Sequence, residues 1–152
     1  MCFTVAIVRQ NTLLTIEKYY NYLDKQDNFS APLLPEFPDY YFISGFVHPA
    51  LPVIHEKGIS LFQWGLIPAW TRNEADAREI KTKTLNAIGE TLFDKPSFRK
   101  PAFSQRCIIP VTGFYEYRDV NGVKYPYFIY SADNQGFLLG GVYDTWINPA
   151  TG

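Results

Sequence analysis

Three side chains far apart in the sequence carry chemistry that fits together: Cys2, Asn86 and Glu116. Cys2 follows Met1 directly, and a small residue at that position permits removal of the methionine. The product is an N-terminal aminothiol. Its amine has a reference pKa of about 7.7–8 and its thiol about 8.5, so both have nucleophilic forms near neutral pH. Such a group condenses with an aldehyde through the amine, and the thiolate then closes a five-membered thiazolidine on the same carbon. An internal cysteine cannot do this. The same aminothiol also suits an N-terminal-nucleophile hydrolase, in which the α-amine serves as base for the thiol. A small core residue at a strand start is the non-catalytic alternative.

The helpers such a reaction needs are a proton donor and an acceptor that orients the amine. Glu116 lies in "GFYEYR". On a strand it shares a face with Phe114 and Arg118, while Tyr115 and Tyr117 share the other. A carboxylate among aromatics is a candidate general acid, or else a cross-strand partner for Lys124 or Arg106. Asn86, in "TLNAIGET", can hold an amine through its side-chain carbonyl, or can simply be a turn residue near Gly89. "WGLIPAW" sets Trp64 and Trp70 around Gly65 and Pro68. A rigid aromatic turn of this kind is either core or a platform on which nucleobases stack.

Composition narrows the class. The chain has 152 residues, 47% hydrophobic and 17% aromatic, which fits one domain with a real core and argues against disorder. No apolar run reaches membrane-spanning length and no secretory signal pattern is present, so a soluble, cytoplasmic protein is expected, nucleoid-associated if bacterial. Two cysteines, Cys2 and Cys107, and two histidines, His48 and His55, make neither a disulfide framework nor a metal site; no metal and no cofactor are expected. The net charge of −1 is unevenly spread. Residues 81–124 carry eight basic and four acidic side chains, including Lys81, Lys83, Arg99 and Arg106, against a net −3 over residues 1–80. A basic middle segment is either a local phosphate-binding face or an ordinary solvated surface.

The elements that must position these residues are short. "CFTVAIV" reads as a strand. "NTLLTIEKYYNYLDKQ" reads as a helix with Ile16, Tyr19, Tyr20 and Leu23 on one stripe and Asn11 or Thr12 as its cap. "SAPLLPEFPDY" is a loop. "YYFISGF", "LPVI" and "ISLFQW" are strands, and "TRNEADAREIK" is a short polar helix or turn. "KPSFRKPAFSQ" is a broken helical or looped stretch, interrupted by Pro101. "RCIIPVTGFYEYR", "KYPYFIYS" and "GFLLGGVYD" read as three strands, with Asn121-Gly122 a type I′ hairpin signal between the first two. Many short strands and few helices predict an α+β domain on a closed or strongly bent antiparallel sheet. The chain stops at "INPATG" without a terminal element, as a domain cut on its C-terminal side would.

In this order, Met1-Cys2, "WGLIPAW", "LNAIGET", "RCIIPVTGFYEY" and the hairpin into "PYFIY" resemble the SRAP family, the SOS response-associated peptidase-like or abasic-site processing proteins. The resemblance implies a single domain over residues 1–152 with a bent, barrel-like antiparallel sheet flanked by a few helices. It implies loss of Met1 and a thiazolidine between Cys2 and the ring-opened aldehyde of an abasic site in single-stranded DNA. By position Cys2 is the nucleophile, Asn86 holds its amine, and Glu116 moves protons during imine formation. Trp64, Trp70, Lys81, Lys83, Arg99 and Arg106 are the candidate DNA contacts, and the protein is expected to act as a monomer. The family usually begins Met-Cys-Gly-Arg and reads Asn-Ala-Arg, where this chain has Phe3-Thr4 and Asn86-Ala87-Ile88. Both missing arginines normally meet phosphates. The family's catalytic histidine falls beyond residue 152, and neither His48 nor His55 occupies its place. An N-terminal cysteine hydrolase or peptidase and a non-covalent single-strand binding module stand as the alternatives.

Overall fold

A computed structural model describes residues 3–27 and 35–151. Eight strands and three helices form in the order β1 (Thr4–Ile7), α1 (Arg9–Asp27), β2 (Tyr40–Ser44), β3 (Ala50–His55), β4 (Gly58–Gln63), α2 (Glu74–Lys83), α3 (Pro96–Ser104), β5 (Arg106–Val111), β6 (Gly113–Val120), β7 (Val123–Tyr130) and β8 (Phe137–Val142). The strands pair into two antiparallel four-stranded sheets, β2-β1-β6-β7 and β4-β3-β5-β8. The α+β class is as expected, but the strands make two sheets rather than one closed barrel.

The division comes from one point. "RCIIPVTGFYEYR" is not a single strand: it changes sheet at Thr112. Cys107 faces Gly141 in one sheet, and Phe114 faces both Val5 and Ile129 in the other. Thr112 fixes the change by donating its N–H to the Ala6 carbonyl (2.9 Å) and accepting from Val8 N–H at its hydroxyl (2.9 Å). Gly113 then passes where a side chain does not fit. A Cβ there would lie 2.5 Å from the Phe128 ring and 2.6 Å from the Ile129 carbonyl oxygen.

Between the sheets lies the main core of Val5, Ile7, Phe37, Leu51 and Val111, with Trp64, Ile109 and Phe114 packed against it. Helix α1 adds a second cluster. Ile16 and Tyr20 bury against Ile54, with Tyr19 and Leu23 alongside, which is the stripe the sequence predicts. Its start differs from expectation. Neither Asn11 nor Thr12 caps it; the Asp39 carboxylate accepts from Arg9 N–H at 2.6 Å, and Asn11 reaches across to the Asn134 carbonyl.

Two further local readings need correction or gain detail. Pro101 does not break "KPSFRKPAFSQ". It sits inside α3, buried with Phe98 and Ala102, and its carbonyl accepts from Gln105 N–H. In so short a helix the proline forfeits one internal hydrogen bond, and its burial against β5 offsets that loss. The Asn121-Gly122 hairpin forms as expected, with φ of 54° and 82° and Val120 paired to Val123.

Among the described residues no helix is long and apolar enough to cross a membrane. Gly113→Ala is predicted to destabilise the fold by about 1–3 kcal/mol, because the new methyl meets backbone at the sheet change. Gly122→Ala, with open space around it but positive φ, is predicted to cost about 1 kcal/mol. Urea unfolding midpoints of the two variants check the order; equal midpoints contradict it.

Candidate active site

A cleft of about 620 Å³ opens between the sheets. Its floor is Val5, Leu51, Val53, Ile109 and Leu139, and one rim is the Leu85-Asn86-Ala87 stretch that follows α2. Trp64 holds that rim in place. Its indole N–H donates to the Leu85 carbonyl at 2.7 Å, and its ring covers Gly45, where a Cβ would meet it at 2.9 Å. Thr84 adds a hydroxyl bond to the Leu66 carbonyl at 2.6 Å. Asn86 is thus presented at the cleft edge from a doubly anchored turn.

Glu116 lies on β6, opposite Tyr127 and on the same face as Phe114. It does not line the cleft. Val5 links the two places: it lines the cleft with Asn86 and pairs with Phe114, one face-neighbour from Glu116. Cys2 lies outside the described residues. The chain enters β1 at Thr4, which faces Ser44 on one side and Tyr115 on the other.

The two tryptophans part company. Trp64 is a half-buried support of the cleft, whereas Trp70 is 59% exposed. The four nominated cations sit on three elements. Lys83 pairs with Glu79, Arg106 donates Nε–H to the Ala102 carbonyl at 2.7 Å, Arg99 stands exposed on α3, and Lys81 is half-buried on α2. Ile88 is exposed just beyond the rim.

The far wall of the cleft was not legible in the sequence. It comprises Cys107, Tyr143, Asp144 and Trp146. Asp144 clamps the "WGLIPAW" turn by accepting from Ala69 N–H (2.9 Å) and from the Gln105 amide (3.2 Å), while the Trp146 indole donates to the Thr71 carbonyl (2.8 Å). No local pattern marks these residues, because their partners are 39 to 75 positions away. Burial pushes the Cys107 thiol up to about 11, and the Tyr143 phenol is raised by burial and then by the Glu56 charge. Among the described residues no cluster of side chains has the make-up to hold a metal ion.

The chain matches the family described as SOS response associated peptidase (SRAP) over residues 38–152. It belongs to that family. The match starts after β1, so Cys2 is not part of it. The abasic site processing protein YoqW of Bacillus subtilis is 43% identical over 88 residues, 57% of this chain and 38% of the relative. The abasic site processing protein HMCES of Gallus gallus is 29% identical over 116 residues, 64% of this chain and 34% of the relative. This SRAP chain therefore spans little more than a third of the length of these curated relatives. A crystal structure of a Bacteroides thetaiotaomicron protein superimposes with a TM-score of 0.76 at 36% identity, covering 99% of this chain and 63% of that one. One from Bordetella bronchiseptica does so with a TM-score of 0.73 at 25% identity, covering 99% and 67%.

The state of Cys107 yields a pH prediction. Its folded pKa is raised above the ordinary thiol value of 9.0, so burial of the neutral thiol contributes stability below pH 9. That contribution is lost as pH rises toward about 11, because the unfolded chain releases the proton first. Alkylation of Cys107 in the folded protein, followed by peptide mass spectrometry, is predicted to be slow at pH 8 and to accelerate sharply in denaturant. Equal rates in both states contradict a buried thiol.

Proposed function

We propose that this chain is an abasic-site processing protein that captures the aldehyde of an abasic site in single-stranded DNA with Cys2. The observation that carries the reading is the pairing of Thr4 with Tyr115, which feeds the start of the chain into the sheet beside the strand that bears Glu116. Names of the relatives point to the same lesion, since YoqW and HMCES are both described as abasic site processing proteins.

The chemistry runs in three balanced steps. Removal of Met1 exposes the α-amine of Cys2. The amine adds to the aldehyde carbon, Glu116 donates a proton to the resulting hydroxyl so that it leaves as water, and the nitrogen returns its remaining proton to the Glu116 carboxylate. This gives an imine. The Cys2 sulfur then attacks the imine carbon while its proton passes to the nitrogen, closing the thiazolidine. Asn86 orients the amine through its side-chain carbonyl during the first addition. The ring has no strained bond, whereas an open imine hydrolyses readily, so the product is a lasting cover over the lesion.

The test uses the protein with single-stranded DNA carrying one abasic site. A complex that survives heating in denaturant is expected, together with a mature N-terminus at Cys2 by intact mass. Cys2→Ser should give no heat-stable species, since a hydroxyl is a poor nucleophile toward the imine. Glu116→Gln should slow crosslinking by about 10²–10⁴-fold and leave the finished adduct stable. Capping the aldehyde with methoxyamine should abolish the product. A crosslink that forms equally with Cys2→Ser, or with the capped aldehyde, removes the mechanism.

A further inference from the structure

One short turn grips Trp64 from outside the cleft. Gly45–Val47 form a single 3-10 turn, and His48 closes it by donating its N–H to the Gly45 carbonyl at 2.9 Å. The His48 backbone has φ 50° and ψ 54°, the left-handed region that few residues other than glycine adopt. The half-buried imidazole lies with Nδ1 2.8 Å from the Trp64 carbonyl oxygen. A carbonyl only accepts, so the ring proton sits on Nδ1 and His48 is the donor.

Trp64 is held at further points from the same side. Its N–H donates to the Pro49 carbonyl at 2.9 Å, and its ring covers Gly45. Its indole N–H then reaches the Leu85 carbonyl, one residue before Asn86. Gly65, with φ 114°, passes between the His48 ring and the end of α2. A Cβ there would lie 2.8 Å from His48 Nδ1 and 2.7 Å from the Lys81 carbonyl oxygen. The imidazole therefore borders two neighbours at once. One is the tryptophan that holds Leu85, and the other is the glycine that lets α2 come close.

We propose that His48 is a positioning residue for the aldehyde chemistry, acting through Trp64 to fix the Leu85-Asn86 stretch. His48 does not line the cleft, so it is no general base there. Its proton is spent on backbone, and its left-handed conformation is retained where the surroundings hold it. The consequence is geometric. With the Trp64 carbonyl tied to His48, the indole is held at Leu85 and the Asn86 carbonyl keeps one direction. A poorly aimed acceptor orients the amine for only part of the time, which lowers the rate of the chemical step and leaves the encounter with DNA unchanged. The inference rests on the reading of Asn86 as the group that orients the Cys2 amine.

The experiment measures single-turnover crosslinking to single-stranded DNA carrying one abasic site, over a range of DNA concentrations. His48→Asn keeps an N–H on the same branch of the side chain and tolerates positive φ, so it should react at nearly the parental rate. His48→Asp has the same shape without the donor. It should lower the maximal rate about ten-fold, as the loss of one hydrogen bond does, with the half-saturating DNA concentration unchanged. His48→Gly, which accepts the backbone conformation without a side chain, should fall likewise. In an Asn86→Ala background His48→Asp should bring no further loss, because the residue it acts through is gone. Proton exchange of the tryptophan indoles, followed by nuclear magnetic resonance, gives a second readout independent of crosslinking. Trp64 should exchange faster in the Asp and Gly variants and normally in the Asn variant, while Trp146, bonded to the Thr71 carbonyl, stays as in the parent. Circular dichroism melting confirms that each variant folds. The proposal is overturned by parental rates in both donor-free variants, by an equal fall in the Asn86→Ala background, or by unaltered Trp64 exchange. A parent that gives no crosslink removes the aldehyde reading itself, whereas an unaffected His48→Asp in a crosslinking parent removes only the positioning role.

Discussion

Two hydrogen bonds of Thr112, one to Ala6 in β1 and one from Val8 just after it, hold the molecule's two halves in relation. Thr112 N–H to the Ala6 carbonyl and Val8 N–H to the Thr112 hydroxyl occur where one run of chain leaves the sheet of β5 and enters that of β6. On either side of Thr112, Val111 faces the core at 0% exposure and Phe114 packs on the same core from the other sheet. Glu116 and Cys107 lie four and five residues from this point on opposite sides. One change of sheet puts the first on a strand beside the incoming N-terminal residues and buries the second in the cleft wall. A single straight strand would have placed both in one ladder.

Burial gives Cys107 a packing role. A thiol whose pKa is pushed up to about 11 is almost wholly protonated at neutral pH and makes a poor nucleophile. Cys107 instead serves as a small packing residue, close against Gly141, where a Cβ would lie 3.0 Å from its sulfur. The support residues act in the same direction. Trp64, Thr84 and Asp144 spend their polar atoms on the backbone of the turns that carry Asn86 and Trp70. They fix the geometry of those turns.

Local signals were legible wherever the physics is local. The stripe of Ile16, Tyr19, Tyr20 and Leu23 needs only a 3.6-residue period, and the Asn121-Gly122 hairpin needs only two residues that tolerate positive φ. Sequence reading lost its grip where a partner comes from far away. The α1 cap is Asp39, thirty residues on, so Asn11 and Thr12 were the wrong place to look. The sheet change at Thr112 depends on Ala6 and Val8, more than a hundred residues earlier, and an uninterrupted β-rich run hides it. Pro101 reads as a breaker because its burial against β5 cannot be seen in the sequence. Among the site residues, motif spacing nominated Asn86 and Glu116, but it could not tell a supporting tryptophan from an exposed one.

The difference between Trp64 and Trp70 has a physical origin that bears on how the strand is held. Both flank the same turn, yet one indole N–H is committed to the Leu85 carbonyl and the other ring stands in solvent. Exposing an indole forgoes the stabilisation that burying its large apolar area would give. The fold already provides a core-facing place for an indole at Trp146, whose ring nitrogen secures Thr71 directly behind Trp70. That arrangement makes Trp70 rigid at its backbone and open at its ring. A rigid, open aromatic surface loses little conformational freedom when a base stacks on it, so the entropic cost of ordering the contact is met during folding rather than during binding. Among the basic side chains of residues 81–124, Lys83 is paired with Glu79 and Arg106 is tied to the Ala102 carbonyl of α3.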